Sequence, residues 1–103
     1  MAAVFEVLAE PTRRRILDLL SEREHAVGEL VERLEVSQPG VSKHLKVLRE
    51  ADLVRVRRDA QRRWYGINAE PLAELDAWLA PYRRLWGRRL DDLERHIDRE
   101  SSR

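Results

Sequence analysis

Residues 37–49 read Ser-Gln-Pro-Gly-Val-Ser-Lys-His-Leu-Lys-Val-Leu-Arg, a run whose polar members are hydrogen-bonding or cationic and never acidic. Val41, Leu45 and Leu48 recur at four-then-three spacing and share one helical face, which leaves Gln38, Ser42, Lys43, Lys46 and Arg49 toward solvent. Amide, hydroxyl and ammonium groups projecting together from a helix can donate to phosphate oxygens and to base edges. The charge distribution agrees. Over residues 37–65 there are eight Lys or Arg against three acids, and over the rest twelve against sixteen, although the whole chain carries only +1. That asymmetry points to a polyanion met by the middle of the chain.

Catalytic chemistry finds little to work with. His44 is a lone imidazole without an acidic neighbour at helical spacing, more useful as a hydrogen-bond donor than as a catalyst or ligand. The four glycines (28, 40, 66, 87) are isolated and form no phosphate-cradling loop, and no serine lies in a nucleophile-elbow motif. Asp91 and Asp92 diverge on a helix among arginines and read as a solvated face. No enzyme activity and no cofactor is expected. Cysteine is absent, which excludes disulfides, thiolate metal sites and thiol redox sensing.

The elements that must position this run follow from periodicity. Val4, Phe5 and Leu8 mark a first helix; Pro11 suits the first turn of a second, with Ile16, Leu19 and Leu20 as its stripe and Arg14 able to pair with Asp18. Val27, Leu30, Val31 and Leu34 form a third, after His25, which carries no legible signal. Only Glu35 and Val36 separate it from Ser37, whose hydroxyl can cap the fourth, so these two helices must cross. From Leu53 the period changes to two: Val54 and Val56 against Arg55 and Arg57, a polar turn through Arg58, Asp59, Ala60, Gln61 and Arg62, then Trp64, Tyr65 and Ile67 returning. This is a hairpin with a basic tip that lacks glycine. Asn68 and Pro71 open a last helix striped by Leu72, Leu75, Leu79, Tyr82, Trp86, Leu90, Leu93 and Ile97, with a kink or division expected near Pro81 and fraying over Ser101, Ser102 and Arg103.

Residues 1–103 are therefore expected to form a single domain, mainly α with a small β-hairpin, in the order α-α-α-α-β-β-α: a helix-turn-helix followed by a wing. Its core is small, and the last stripe is longer than such a core can use. The economical arrangement is a homodimer whose interface is Val4, Phe5 and Leu8 with Leu72, Leu75, Leu79, Tyr82, Trp86, Leu90, Leu93 and Ile97. Trp78 and Trp86, eight apart, suit that dimer core, with an effector pocket as the alternative. No apolar run is long enough to span a bilayer and nothing marks the chain for export, so no membrane partner and a cytoplasmic location are expected.

The sequence resembles the ArsR/SmtB family of bacterial repressors. Leu8-Ala9-Glu10-Pro11-Thr12-Arg13-Arg14-Arg15-Ile16-Leu17, Val27-Gly28-Glu29-Leu30, the run Val36 to Leu48, Ala51-Asp52-Leu53-Val54 and Arg62-Arg63-Trp64-Tyr65 carry the resemblance over nearly the whole chain. It implies a homodimer on double-stranded DNA, with paired recognition helices in successive major grooves of an imperfect palindrome and wings along the flanking backbone or minor groove. Carried over residue by residue, Ser37, Gln38, Ser42, Lys43 and His44 would touch DNA, Lys46 a phosphate, and Arg57, Arg58, Gln61, Arg62 and Arg63 would act from the wing. Two departures stand out: Asp52 replaces a frequent glycine, and His25-Ala26 replaces the usual threonine.

Many relatives release DNA on binding metal through third-helix cysteines or terminal-helix Asp and His. Here the third helix has no thiolate, and Asp92 with His96 supplies only half a site, Asp92 being expected to pair with Arg88 or Arg95. No metal is expected, and any small-molecule effector is left unnamed. The alternative function is a winged-helix protein-interaction module without a DNA target, which would display an apolar patch in place of the cationic face.

Overall fold

The computed structural model describes residues 2–101, with side chains from 3 to 97; Ser102 and Arg103, where fraying was expected, lie outside them, and Ser101 is helical. The elements run α1 (Ala2–Leu8), α2 (Pro11–Glu22), α3 (Val27–Leu34), α4 (Gln38–Glu50), β1 (Val54–Asp59), β2 (Arg62–Ile67) and α5 (Glu70–Ser101), the winged helix-turn-helix order. They fall into two compact units, Met1–Ala73 and Glu74–Arg103.

In the first unit α1 turns Val4 and Val7 inward and leaves Phe5 exposed. Its last carbonyls are satisfied by the next helix: Arg14 Nη1 donates to Leu8 O at 2.6 Å and Ala9 O at 3.1 Å, so Arg14 caps α1 instead of pairing with Asp18. Glu10 is the N-cap of α2 and accepts from the Arg13 amide at 3.1 Å, with Pro11 in the first turn. Ala26, the N-cap of α3, has no side chain to offer. Glu29 Oε1 accepts from the Ala26 amide at 3.0 Å while Oε2 accepts from Arg23 at 2.9 Å. The Arg23 hydrogen bond, then the Ala26 amide, lower the Glu29 pKa to about 2.

A left-handed Glu35 (φ 57°) ends α3, and Ser37 caps α4 by accepting from the Gly40 amide at 3.2 Å. Gly40 makes this crossing possible, because a Cβ there would stand 2.9 Å from Val36 Cγ1. Ile16, Leu30, Val41, Leu45, Leu48 and Leu53 are essentially fully buried at its centre, and each such side chain contributes about 1.5–3 kcal/mol by leaving water.

Helix α4 is stopped by Asp52, whose φ of 62° lets the Leu53 amide reach back to Leu48 O at 2.9 Å. Glycine adopts such a left-handed conformation without strain. Relieving the Cβ strain outweighs the added unfolded-state entropy, so Asp52→Gly is expected to raise stability by about 0.5–1 kcal/mol. Urea unfolding should show a higher midpoint with an unchanged slope; an unchanged midpoint would mean the aspartate side chain compensates for its backbone.

β1 and β2 pair antiparallel from Val54↔Ile67 to Asp59↔Arg62, leaving a two-residue loop, Ala60-Gln61. Ala60 supplies the positive φ (58°) that glycine usually provides in such hairpins. His25 was not legible as part of the sheet. It is fully buried, exchanges backbone hydrogen bonds with Tyr65 at 3.0 and 2.8 Å, and donates from Nδ1 to the Arg23 carbonyl at 2.8 Å, leaving Nε2 buried without a partner. Buried Asn68 clasps the wing's base: its amide bonds Leu53 O at 2.9 Å and its Nδ2 bonds Asp52 O at 2.7 Å.

The second unit is the body of α5. The helix is undivided at Pro81, although the proline removes one ladder bond. Two side-chain pairs straddle it: Arg83 donates to Asp76, and the Trp78 and Tyr82 rings lie 5.1 Å apart. On the polar side Asp92 accepts from Arg95 at 2.5 Å, one of the two partners expected for it.

Candidate nucleic-acid interface

Burial sorts α4 as the spacing foretold. Val41, Leu45 and Leu48 are buried, while Gln38, Ser42, Lys43, Lys46 and Arg49 are exposed. Ser37 is exposed as well, its hydroxyl occupied by the cap. The outward face therefore carries an amide, a hydroxyl and three cations on one rigid element.

His44, a DNA contact by the resemblance, is partly enclosed. Its side chain is only 22% exposed, because the start of α2 packs against it: Arg13 Nε donates to Nδ1 at 3.2 Å and Glu10 Oε2 lies 3.7 Å from the same atom. Partial burial opposes ionisation of Glu10, but the Thr12 and Arg13 amides and the Arg13 charge outweigh it and hold the carboxyl below its ordinary range. Arg13 also reaches the Val7 carbonyl at 3.5 Å. No spacing in the sequence joins residues 31 apart, so this cluster is not legible in the sequence.

On the wing, Arg57 is exposed but already paired within the protein. Glu24 takes it in a forked pair (Nη2 to Oε1 2.9 Å, Nε to Oε1 3.2 Å), and Asp59 stands 3.7 Å from Nη1, so its charge is spent within the protein. The Arg57 hydrogen bond in turn holds the Glu24 carboxyl below its usual range. Gly66 leaves room for this, since a Cβ there would stand 3.3 Å from Glu24 Cγ.

Arg58, Gln61, Arg62 and Arg63 are exposed and line, with Ala60, a concavity of about 290 Å³ at the tip. Arg58 stands directly across from Arg63, and Arg62 lies 5.6 Å from the Trp64 ring centroid. Like charges paired across a hairpin repel, an arrangement that an external polyanion relieves.

The residues expected at a dimer interface divide three ways. Val4 is buried in the protomer's own core beside Val7, because the inward face of α1 is 4-7-8 and not 4-5-8; Leu8 and Leu72 pack partly against that core. Leu75 and Leu79 are partly buried. Phe5 and, on α5, Tyr82, Trp86, Leu90, Leu93 and Ile97 are about half exposed, joined by Trp78 and by Leu85, a position outside the stripe expected from the spacing.

A short-linked helix pair, an outward cationic face on its second helix and a basic wing define a DNA-binding winged helix-turn-helix protein. The family profile described as "Bacterial regulatory protein, arsR family" matches residues 10–56. The HTH-type transcriptional regulator Rv2034 of Mycobacterium tuberculosis is 43% identical over 96 residues, covering 93% of this chain and 87% of that one. The transcriptional repressor SdpR of Bacillus subtilis is 34% identical over 79 residues, covering 77% and 88%. A solved ArsR-like transcriptional regulator from Rhodococcus sp. RHA1 superposes with a TM-score of 0.73 at 29% identity, covering 91% of this chain and 89% of that one. The chain belongs to the ArsR family of bacterial transcriptional regulators, proteins that bind DNA and are not enzymes. No helix among the described residues is long and apolar enough to cross a membrane.

Proposed function

We propose that this protein is a homodimeric repressor that occupies a palindromic operator, with α4 in the major groove and the wing along the flanking backbone. The observation that carries the reading is the exposed set Gln38, Ser42, Lys43 and Lys46 on the face of α4 opposite its buried stripe. Gln38 and Ser42 suit base edges, Lys43 and Lys46 phosphates, and Arg58, Arg62 and Arg63 extend the cationic track from the wing. Dimerisation is supported by the half-exposed apolar face of α5, since a twofold contact would cover it with its own copy. An interaction module would be expected to place such a patch on α4 or the wing, where the exposed residues are polar.

The same reading makes the repressor independent of metal. The donors on α3 are Glu29, already held by Arg23 and the Ala26 amide, and Glu32; on α5, Asp92 is held by Arg95. Among the described residues no three His, Cys, Asp or Glu come together as a group able to hold an ion. This donor set supports the reading, with Asp92 and His96 amounting to only half of an inter-subunit site.

Fluorescence anisotropy against a duplex from the gene's own upstream region and a scrambled duplex tests this at two salt concentrations, with zinc and with chelator. Preferential, steeply salt-dependent binding that zinc and chelator leave alone is the expected result. Release by zinc would overturn metal independence, and equal weak binding to both duplexes would overturn an operator in that upstream region.

A further inference from the structure

We propose that Arg13 sets what His44 can read on DNA, by holding its ring in the tautomer that carries the proton on Nε2. The inference rests on the reading of α4 as the helix that meets DNA. A guanidinium is always a donor, so the 3.2 Å contact from Arg13 Nε requires Nδ1 of His44 to be an acceptor. The neutral ring then has its proton on Nε2. The competing arrangement is present but unused: Glu10 Oε2, 3.7 Å from Nδ1, would accept from an Nδ1–H, and a ring so protonated could no longer receive Arg13.

The His44 side chain keeps 22% of its surface exposed, and its Nε2 is not among the buried unpaired atoms of the described residues, which leaves that nitrogen open to a ligand. The recognition helix thus presents a donor between Lys43 and Lys46, suited to purine N7, guanine O6 or thymine O4 and mismatched to the amino group of cytosine. Freed from Arg13, the ring could present either a donor or an acceptor, and that discrimination would be lost. Arg13 is a positioning residue here: the Val7 carbonyl and the α2 backbone fix it, and it acts through His44.

The test has one arm without DNA. Side-chain ¹⁵N spectra of the whole protein, with His44 assigned by its loss in His44→Ala, should show Nε2 protonated in the wild type and a mixed population in Arg13→Met. For the second arm, a duplex is enriched from a randomised pool by the wild-type protein, and each base pair is varied singly. Arg13→Met should relax preference by about fivefold at the position that His44→Ala relaxes, add nothing in the double variant, and be partly rescued by Arg13→Lys. A wild-type ring protonated on Nδ1 overturns the proposal without any variant needing to fold. Equal weakening on every duplex also overturns it, making Arg13 a phosphate contact. If Lys43→Ala with Lys46→Ala leaves all binding unchanged, the assignment of α4 to DNA falls and takes this proposal with it, whatever the tautomer.

Discussion

Substituting both Leu90 and Leu93 with Glu is expected to give a folded monomer that binds the operator about a thousandfold more weakly than the wild type. Both side chains are about half exposed in the protomer, outside the core of the first unit, so folding does not depend on them. In a dimer they would be covered by the partner, and four carboxylates introduced into a desolvated apolar contact would resist burial and repel one another. Separation of the protomers converts one divalent encounter with two half-sites into two independent weak ones. Sedimentation should report the change of mass, circular dichroism the retained helices, and anisotropy the drop in affinity. A variant that stays dimeric, or a monomer that binds as tightly as the wild type, would remove α5 from the interface.

Alanine at Arg58, Arg62 and Arg63 together is expected to weaken binding to all duplexes alike by about a hundredfold at moderate salt. For every phosphate that the wing no longer neutralises, the slope of log affinity against log salt should also become shallower by about 0.9. Arg57→Ala, one residue away, should change affinity by less than about twofold, because its charge is already neutralised by Glu24 and Asp59. The contrast is the informative part, since four neighbouring arginines look alike in sequence. If Arg57→Ala proves as damaging as the triple variant, its pair with Glu24 must open in the complex.

Elements were legible wherever local periodicity and caps agreed. The 41-45-48 stripe, the cap at Ser37 and the change to period two at Leu53 rest on interactions within a few residues, so the order of elements and the outward face of α4 could be read directly. What escaped depends on contacts between distant segments. The Glu24–Arg57 pair spans 33 residues and the Arg13–His44 contact spans 31, and charge alone does not say which arginine meets an acid. His25 was opaque because its role is played by its backbone, which no side-chain pattern reports. On α1 the 3.6-residue period allowed either Phe5 or Val7 beside Val4, and packing selected the smaller residue. At Pro81 the loss of one hydrogen bond was visible, but the Arg83–Asp76 pair that reaches across it was not.

The backbone exchange between His25 and Tyr65 bears on how the molecule avoids aggregating. A two-stranded sheet has two open edges, and either could recruit an extended chain. The His25 segment occupies the β2 edge at Tyr65, where it supplies both backbone hydrogen bonds. β1, on the other side, carries Arg55, Arg57 and Arg58, and an incoming strand would have to desolvate those charges. Runaway growth by strand addition is thereby blocked at one edge by the chain itself and discouraged at the other by charge, so a short β-element can be displayed in solution without seeding fibres.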